Sequence, residues 1–389
     1  MVKKINGTGV EKVVDAEPKK AEPKKQVEFK EDKKLGEMAN KWMGEFPLSH
    51  LSYIPSGSIV LDYLWGKGLP LGKMFGLFST YGLGKSTILL SLMRGILAND
   101  RTGVVIYIDS EGGVTKDILA NMGFLCDDWK QLVLDDPEVP LTKLLRPEFR
   151  GRLVLVVTYT YEDAEKVINA YADTGRLRMV GIDSASSLQP EKVIEEDSHQ
   201  IGIKATTDQK FFQGLKRSAN INRFMVLGIL QEQPVVNIGG HSNGPKVKAK
   251  ASQGFMFVCD GVFHMFPQNF IYNNKRDKVG VCAKIYNPDK NRLTGNRSAS
   301  IFLRYGYGIS NIATLSSMVK WAGMAVVRGA YYDLKLEGLD LGEGVGKPVA
   351  CLGNNGLEEK IADHLAEILE VLETSGKRDE YFEKYVAAK

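Results

Sequence analysis

The residues with the clearest chemical role form one short string, Ser79-Thr80-Tyr81-Gly82-Leu83-Gly84-Lys85-Ser86, followed by Thr87. The string nearly matches G-x-x-x-x-G-K-[ST], in which small residues let backbone N–H groups surround phosphate oxygens. An apolar run precedes it and a helical pattern follows, so the positive end of the helix would face the phosphates. Lys85 would then reach the terminal phosphates of ATP, and Ser86 would offer its hydroxyl to Mg²⁺. The departure from the pattern is Ser79, which replaces the first glycine.

Carboxylates follow two further apolar runs. Asp109 and Glu111 end one run, and Asp183 ends the other. Because ligands bind at the carboxyl ends of parallel strands, these groups are expected beside the phosphate loop. We predict that Asp183 joins Ser86 at the metal and that Glu111 polarises the attacking water. Asp109 is the rival candidate for the base, and the alternative for either role is a carboxylate that only caps the next helix.

The elements that would position these residues alternate between strand-like and helical patterns. Apolar runs typical of strands occupy residues 74–78, 104–108, 153–157, 179–182 and 224–230, with helical patterns at 86–98 and 161–172. Such alternation predicts an α/β fold with a mainly parallel twisted sheet, helices on both faces and a phosphate-loop NTPase core. Later runs at 262–266, 279–286 and 300–303 are predicted to be antiparallel strands extending this sheet. Residues 120–152 are predicted to be an insertion between two core strands.

Composition limits the remaining possibilities. The net charge is +4, so nucleic-acid binding would have to come from local clusters. The four cysteines are scattered, which argues against zinc and fits reduced thiols in the cytoplasm. No apolar run reaches the roughly 18 residues that a membrane helix needs, so we expect no membrane partner. Residues 1–34 are charged, contain the repeat Ala-Glu-Pro-Lys-Lys and are predicted to be disordered.

Several segments resemble the RecA recombinase family in order and spacing, over about residues 45–312. The similar segments are Ser56-Gly57-Ser58-Ile59-Val60-Leu61-Asp62, Gly68-Leu69-Pro70-Leu71-Gly72-Lys73, Ile108-Asp109-Ser110-Glu111 and Ile182-Asp183-Ser184. Residues 254–263 are similar to phage-type recombinases in particular. The resemblance implies a RecA-like core over 56–314, an N-terminal helix or linker for subunit contact at 35–55, and a small helical C-terminal domain at 315–389.

The resemblance also implies further site residues. The family's catalytic glutamate maps onto Glu111, and a glutamine that senses the γ-phosphate maps onto Gln231, with Gln233 as the alternative. Lys290 and Arg292 stand where two basic side chains reach the ATP of a neighbouring subunit, although a surface turn would explain them as well. Thr115 replaces an acidic nucleotide contact that is common in the family.

Two segments are candidates for DNA binding. Residues 233–253 are Gly-rich and basic without an acid, and the alternative is a mobile solvated loop. Residues 191–203 resemble the family's first DNA loop, and basic residues on the following helix could add phosphate contacts. The predicted DNA-binding residues are Gln200, Ile201, Gly202, Lys204, Lys216, Arg217, Ile238, Gly239, Gly240, Lys246, Lys248 and Lys250.

The resemblance implies an ATP-dependent recombinase that forms helical filaments on single-stranded DNA and pairs it with a homologous duplex. Its cofactors would be ATP and Mg²⁺, and its location the cytoplasm of a bacterial or phage-infected cell. Single-strand-binding and loader proteins are further expected partners. The alternatives are a RecA-fold ring helicase or motor, and a recombination mediator that binds ATP but hydrolyses it weakly.

Overall fold

The computed structural model describes residues 51–66, 68–195, 201–234, 247–251, 253–272, 275–287, 293, 298–310 and 314. It also describes the backbone of four short strands between residues 325 and 346. The predictions for residues 1–34 and for most of 35–55 lie outside this part of the chain. No helix in the described residues is long and apolar enough to span a membrane.

A ten-stranded sheet forms the centre of the fold. Its strands are β3 (Met74–Ser79), β4 (Val104–Asp109), β5 (Leu153–Val157), β6 (Leu177–Asp183), β7 (Met225–Pro234), β8 (Val247–Lys250), β9 (Gly261–Tyr272), β10 (Lys278–Tyr286), β11 (Ser298–Arg304) and β12 (Gly308–Ile309). Outside it, β1 (Tyr53–Ile54) pairs with β2 (Leu69–Pro70). The main helices are α1 (Ile59–Trp65), α2 (Lys85–Asn99), α6 (Tyr161–Ala172), α8 (Ile201–Asn222) and α9 (Gln253–Val258).

The strands follow the order β12-β11-β10-β9-β3-β7-β6-β4-β5, and β8 pairs with the end of β7. The neighbouring pairs from β9 to β5 are parallel, whereas β10, β11 and β12 extend the sheet through antiparallel pairs. The predicted α/β class is therefore confirmed. One expectation was wrong, because β9 pairs parallel with β3. The chain passes through β8 and α9 after β7, and this crossover returns it to the end of the sheet where a parallel strand must begin.

Each face of the sheet is covered by helices, as near-continuous apolar strands require. On one face α2 packs on side chains such as Phe75, Leu77 and Leu227. On the other face α6, α8 and α9 pack on Met74, Phe78 and neighbouring side chains. Burial of each large apolar side chain contributes roughly 1.5–3 kcal/mol, so this two-sided core holds the strand ends in fixed positions.

Glycine allows the closest contacts between the sheet and its helices. A Cβ atom at Gly181 would lie 2.6 Å from side-chain atoms of Leu89 and Met93 on α2. A Cβ atom at Gly228, on β7, would lie 2.6 Å from the Phe255 ring on α9. These helices therefore approach the strands more closely than any side chain at the two positions would permit.

Two regions of the chain do not belong to the ten-stranded sheet. The predicted insertion at 120–152 contains two short helices, α4 (Trp129–Asp135) and α5 (Leu141–Leu144), and a 3₁₀ turn (Pro147–Phe149), and the helix α3 (Lys116–Asn121) ends at its start. Residues 315–389 were expected to be helical, but their described part is an antiparallel sheet of β13 (Ala325–Arg328), β14 (Tyr331–Leu336), β15 (Leu339–Asp340) and β16 (Val345–Gly346). Valine and tyrosine favour strands there. The helix expected near 357–373 lies outside the described residues.

Candidate nucleotide-binding site

The predicted catalytic residues that the structure describes lie at the carboxyl edge of the sheet. Ser79 pairs with Gln231 in the β3–β7 register, and Asp109 pairs with Asp183 in the β4–β6 register. Residues two apart on a strand share a face, so these four positions follow the core side chains that α2 covers. Lys85 begins α2 on that same face. The fold thus places the phosphate loop and both acidic strand ends together.

Lys85 sits inside its own loop. Its Nζ donates to the Ser79 carbonyl at 3.2 Å, the Ser79 Oγ at 3.2 Å and the Thr80 carbonyl at 3.1 Å. The hydroxyl of Ser79, which is fully buried, donates in turn to the Thr80 carbonyl at 2.9 Å. Ser79 therefore gives the loop a polar anchor for the lysine where the usual pattern has glycine. Burial lowers the pKa of Lys85, although Asp183, Glu111 and Glu232 oppose the change.

Positive φ values explain the two glycines that remain in the loop. Gly82 has φ +72° and Gly84 has φ +96°, conformations that side chains with a Cβ rarely adopt. Gly84 directly precedes α2 and lies against Leu303 and Tyr305. Tyr81 is 92% exposed at the tip of the loop, and Thr87 lies in the first turn of α2.

The predicted metal residues, Ser86 and Asp183, lie close enough to share a hydrogen bond. The Tyr107 hydroxyl donates to Asp183 Oδ2 at 2.6 Å. Burial raises the pKa of Asp183, while the hydrogen bonds from Ser86 and Tyr107 lower it. A hydroxyl beside a buried carboxylate is an oxygen donor set that suits Mg²⁺, so the residues present fit the expected ion. The sequence reasoning missed Tyr107, whose only signal was one aromatic residue in an aliphatic run.

Asp109, the rival candidate for the base, accepts hydrogen bonds from the backbone of the turn that follows it. Its Oδ1 accepts hydrogen bonds from the backbone N–H groups of Glu111, Gly112 and Gly113, and its Oδ2 accepts one from Val114. Four donors leave this buried carboxylate little capacity to accept a proton from water. Asp109 instead shapes the turn that presents Glu111.

Glu111 is exposed at the edge of the site and contacts two donors. The Gln231 side-chain amide and the Ser187 hydroxyl each donate to Glu111 Oε1 at 3.3 Å. This contact favours Gln231 over Gln233 as the residue next to the candidate base. Ser187 belongs to a hydroxyl cluster in which Ser184 Oγ lies 2.9 Å from both Ser186 Oγ and Ser187 Oγ. The sequence reasoning did not identify Ser187.

Thr115 has a local structural contact. Its hydroxyl accepts a hydrogen bond from the Ile118 backbone N–H at 3.3 Å and so caps α3. The side chain that replaces the family's acidic contact therefore stabilises the helix that leads into the predicted insertion.

Two basic residues of the second predicted loop, Lys248 and Lys250, lie on a strand beside β7. β8 pairs Lys250 with Gln231 and Lys248 with Gln233, and both lysines are exposed. The stretch 233–253 was expected to lack regular structure, but residues 247–250 form this strand because alternating Val, Lys, Ala and Lys can pair with β7. Four predicted residues of the stretch lie outside the described part of the chain: Ile238, Gly239, Gly240 and Lys246.

The first predicted loop is helical where it is described. Glu191–Glu195 forms the short helix α7, and the backbone of α8 already includes Ile201, Gly202 and Lys204. Gln200 lies outside the described residues, as do Lys290 and Arg292.

Lys216 was expected to contact DNA, but it pairs with Asp260, a residue that is only 4% exposed. The same carboxylate accepts a hydrogen bond from the Met74 backbone N–H at 2.9 Å, at the amino end of β3. Lys216 therefore lies at the edge of the sheet opposite the phosphate loop, and its charge compensates a buried carboxylate. The neighbouring Arg217 is exposed on the same end of α8.

Comparisons with known proteins find relatives that carry one name. The chain is 26% identical to a protein named RecA from a Nocardioides species, over 86% of this chain and 89% of the relative. It is 24% identical to RecA of Acholeplasma laidlawii over 86% and 93% of the two chains, and 22% identical to RecA of Thermus thermophilus over 88% of each. No family model matches the chain. The resemblance to the RecA family is thereby confirmed, and the likeness to phage-type recombinases stays a prediction.

Proposed function

We propose that this relative of the RecA proteins is an ATP-dependent recombinase that forms helical filaments on single-stranded DNA and catalyses homologous pairing and strand exchange. One observation supports it above the others: Gln231 contacts the candidate base Glu111 and stands at the foot of a hairpin with two exposed lysines. The residue that contacts the candidate base and the two exposed lysines thus lie on paired neighbouring strands, β7 and β8. The proposal places the protein in the cytoplasm, with single-strand-binding and loader proteins as further partners.

In the proposed mechanism, Lys85 exchanges its contacts with Ser79 and Thr80 for the terminal phosphates of ATP. Mg²⁺ held by Ser86 and Asp183 would neutralise phosphate charge. Glu111 accepts a proton from the attacking water while Gln231 and Ser187 orient its carboxylate. Lys290 and Arg292 would reach the site from the neighbouring subunit, and residues 35–55 would contribute to the subunit contact.

Electron microscopy with single-stranded DNA and a slowly hydrolysed ATP analogue tests the assembly. We expect continuous helical filaments. Closed six-membered rings would support the ring helicase or motor instead, and absence of any assembly together with no ATP turnover would support the weakly hydrolysing mediator.

Replacement of Gln231 by alanine should uncouple nucleotide from DNA. Because Gln231 is the contact between Glu111 and the β7–β8 hairpin, we expect the gain in single-stranded DNA affinity on addition of an ATP analogue to fall roughly tenfold. Fluorescence anisotropy with a labelled oligonucleotide measures this gain. Gln233→Ala is the matched control, and equal losses in both variants would contradict the assignment.

Replacement of both Lys248 and Lys250 by glutamine should weaken single-stranded DNA binding in a salt-dependent manner. Each lost phosphate contact should reduce the slope of log affinity against log salt by about 0.7. Lys216→Gln is the contrast, since it leaves the buried Asp260 carboxylate without its partner. It should lower the free energy of unfolding by about 3 kcal/mol without changing the salt slope. An unchanged slope in the double variant would contradict the hairpin site.

A further inference from the structure

A buried histidine lies directly behind the phosphate loop and has no part in the mechanism above. His264, on β9, is 8% exposed and stacks on Phe78, with ring centroids 4.4 Å apart and planes 2° apart. Phe78 immediately precedes the loop residue Ser79. His264 Nε2 lies 3.0 Å from Glu232 Oε2, and its Nδ1 lies 3.0 Å from the Tyr286 hydroxyl.

These groups form a row across the sheet. The register places Phe78 beside His264 and His264 beside Tyr286 on three neighbouring strands. Glu232 is two residues beyond Leu230, the partner of Phe78, and so lies on that same face. The row is therefore on the face opposite Gln231 and α2. His264 touches the strands of the phosphate loop, the candidate sensor and β10 without entering the nucleotide site.

The hydrogen-bonding capacity of the side chains fixes the direction of the contact with Glu232. An ionised Glu232 only accepts, so His264 must donate to it from Nε2. A neutral imidazole then presents Nδ1 as an acceptor, and the Tyr286 hydroxyl can donate to it. All three groups are satisfied by one tautomer, which makes a continuous chain from Tyr286 through His264 to Glu232.

The two ends of this series of hydrogen bonds, Glu232 and Tyr286, lie next to the segments that the proposed function expects to respond to ATP. Glu232 directly follows Gln231 and pairs with Ala249 at the base of the β7–β8 hairpin. Its charge also acts on Lys85, where it partly offsets the effect of burial on the lysine pKa. Tyr286 ends β10, four residues before Lys290 in the sequence.

We propose that His264 is a positioning residue that couples the nucleotide site to DNA binding by holding the base of the β7–β8 hairpin and the end of β10 against the phosphate-loop strand. A shift of the loop on ATP binding passes through Phe78 to His264 and from there to Glu232 and Tyr286. This inference rests on the proposed function, because it assumes that ATP raises affinity for single-stranded DNA.

Three substitutions separate the contacts of His264. Phenylalanine keeps an aromatic ring for the stack and removes both hydrogen bonds. Glutamine places an amide nitrogen near the Nε2 position and can keep the contact with Glu232, whereas asparagine places its amide near Nδ1 and can keep only the contact with Tyr286. Tyr286→Phe removes one hydroxyl and retains the ring that packs edge-on against Phe266.

The measurement is the ratio of single-stranded DNA affinity with a slowly hydrolysed ATP analogue to that with ADP, by anisotropy of a labelled oligonucleotide. We expect His264→Phe and His264→Asn to lower the ratio roughly tenfold and His264→Gln to stay within about threefold of the parent. Affinity for the analogue without DNA should stay near the parental value in all three. This pattern distinguishes coupling from general damage to the fold, which would lower the DNA affinity with the analogue and the DNA affinity with ADP together.

A parental ratio in His264→Phe, or equal ratios in the Gln and Asn variants, would overturn the inference. If His264→Phe does not fold, Glu232→Ala decides the question, because it removes the contact that His264→Gln keeps: a reduced ratio supports the role of His264 and a parental ratio overturns it. Tyr286→Phe should match His264→Gln, because both lose only the contact between His264 and Tyr286. A parent protein whose DNA affinity is the same with the analogue and ADP would overturn the proposed function itself. A parent that responds to ATP, with variants that respond equally, would overturn only the role of His264.

Discussion

Replacement of Glu111 by glutamine should abolish ATP hydrolysis while leaving ATP-dependent binding to single-stranded DNA in place. The amide keeps the shape of the side chain and can still accept hydrogen bonds from Gln231 and Ser187, but it cannot take a proton from water. Loss of a general base reduces turnover by roughly 10²–10⁴-fold. Phosphate release and oligonucleotide anisotropy, measured on the same preparation, give the two quantities.

An exposed glutamate outside the site provides the control for this substitution. Glu138→Gln changes the charge of the insertion equally and should leave hydrolysis at the parental rate. Parental turnover in Glu111→Gln would contradict the assignment of the base. A parent protein without measurable turnover would instead favour the weakly hydrolysing mediator.

Replacement of Lys85 by alanine should abolish nucleotide binding itself, whereas Glu111→Gln should leave nucleotide binding in place. Lys85 is the ammonium that the loop holds ready through Ser79 and Thr80. Removal of one such preorganised donor lowers turnover by roughly 10²–10³-fold, and the DNA response to ATP should disappear with it. Titration with a fluorescent ATP analogue and an ATPase assay measure the two effects.

Lys85→Arg tests whether charge alone is sufficient. The planar guanidinium is larger than the ammonium and cannot make the same three contacts inside the loop, so we expect little recovery. The melting temperature should stay close to the parental value in both variants, because Lys85 binds its own loop rather than the core. Full turnover in Lys85→Ala would contradict the phosphate-loop assignment.

The parts of the fold with strong local signals could be predicted from the sequence. The strand ending at Val157 and the helix from Tyr161 to Ala172 have the predicted bounds, because each is an apolar or amphipathic run bordered by polar residues. The direction of β9 could not be predicted in this way. An apolar run specifies a strand, but its direction depends on how the crossover before it packs.

The site residues show the same difference between local sequence signals and contacts that depend on the fold. The proximity of Lys85, Ser86 and Asp183 could be predicted because a phosphate loop fixes the spacing of the first two and a parallel strand end fixes the position of the third. The choice between Asp109 and Glu111 depended on which carboxylate the backbone of the next turn satisfies, and sequence does not report that. The ion pair of Lys216 could not be predicted for a related reason. The sequence pattern of a lysine on a helix predicts a solvated charge, and it does not indicate an ion-pair partner such as Asp260, which lies 44 positions away.

The proposed function requires that ATP drive this protein to pair single-stranded DNA with a homologous duplex. The most direct measurement incubates circular single-stranded DNA with linear duplex DNA, ATP and Mg²⁺, and follows joint molecules on a gel. We expect joint molecules with homologous duplex, none with heterologous duplex, and none with Lys85→Ala. ATP-driven, directional unwinding of a forked duplex without homologous pairing would contradict it.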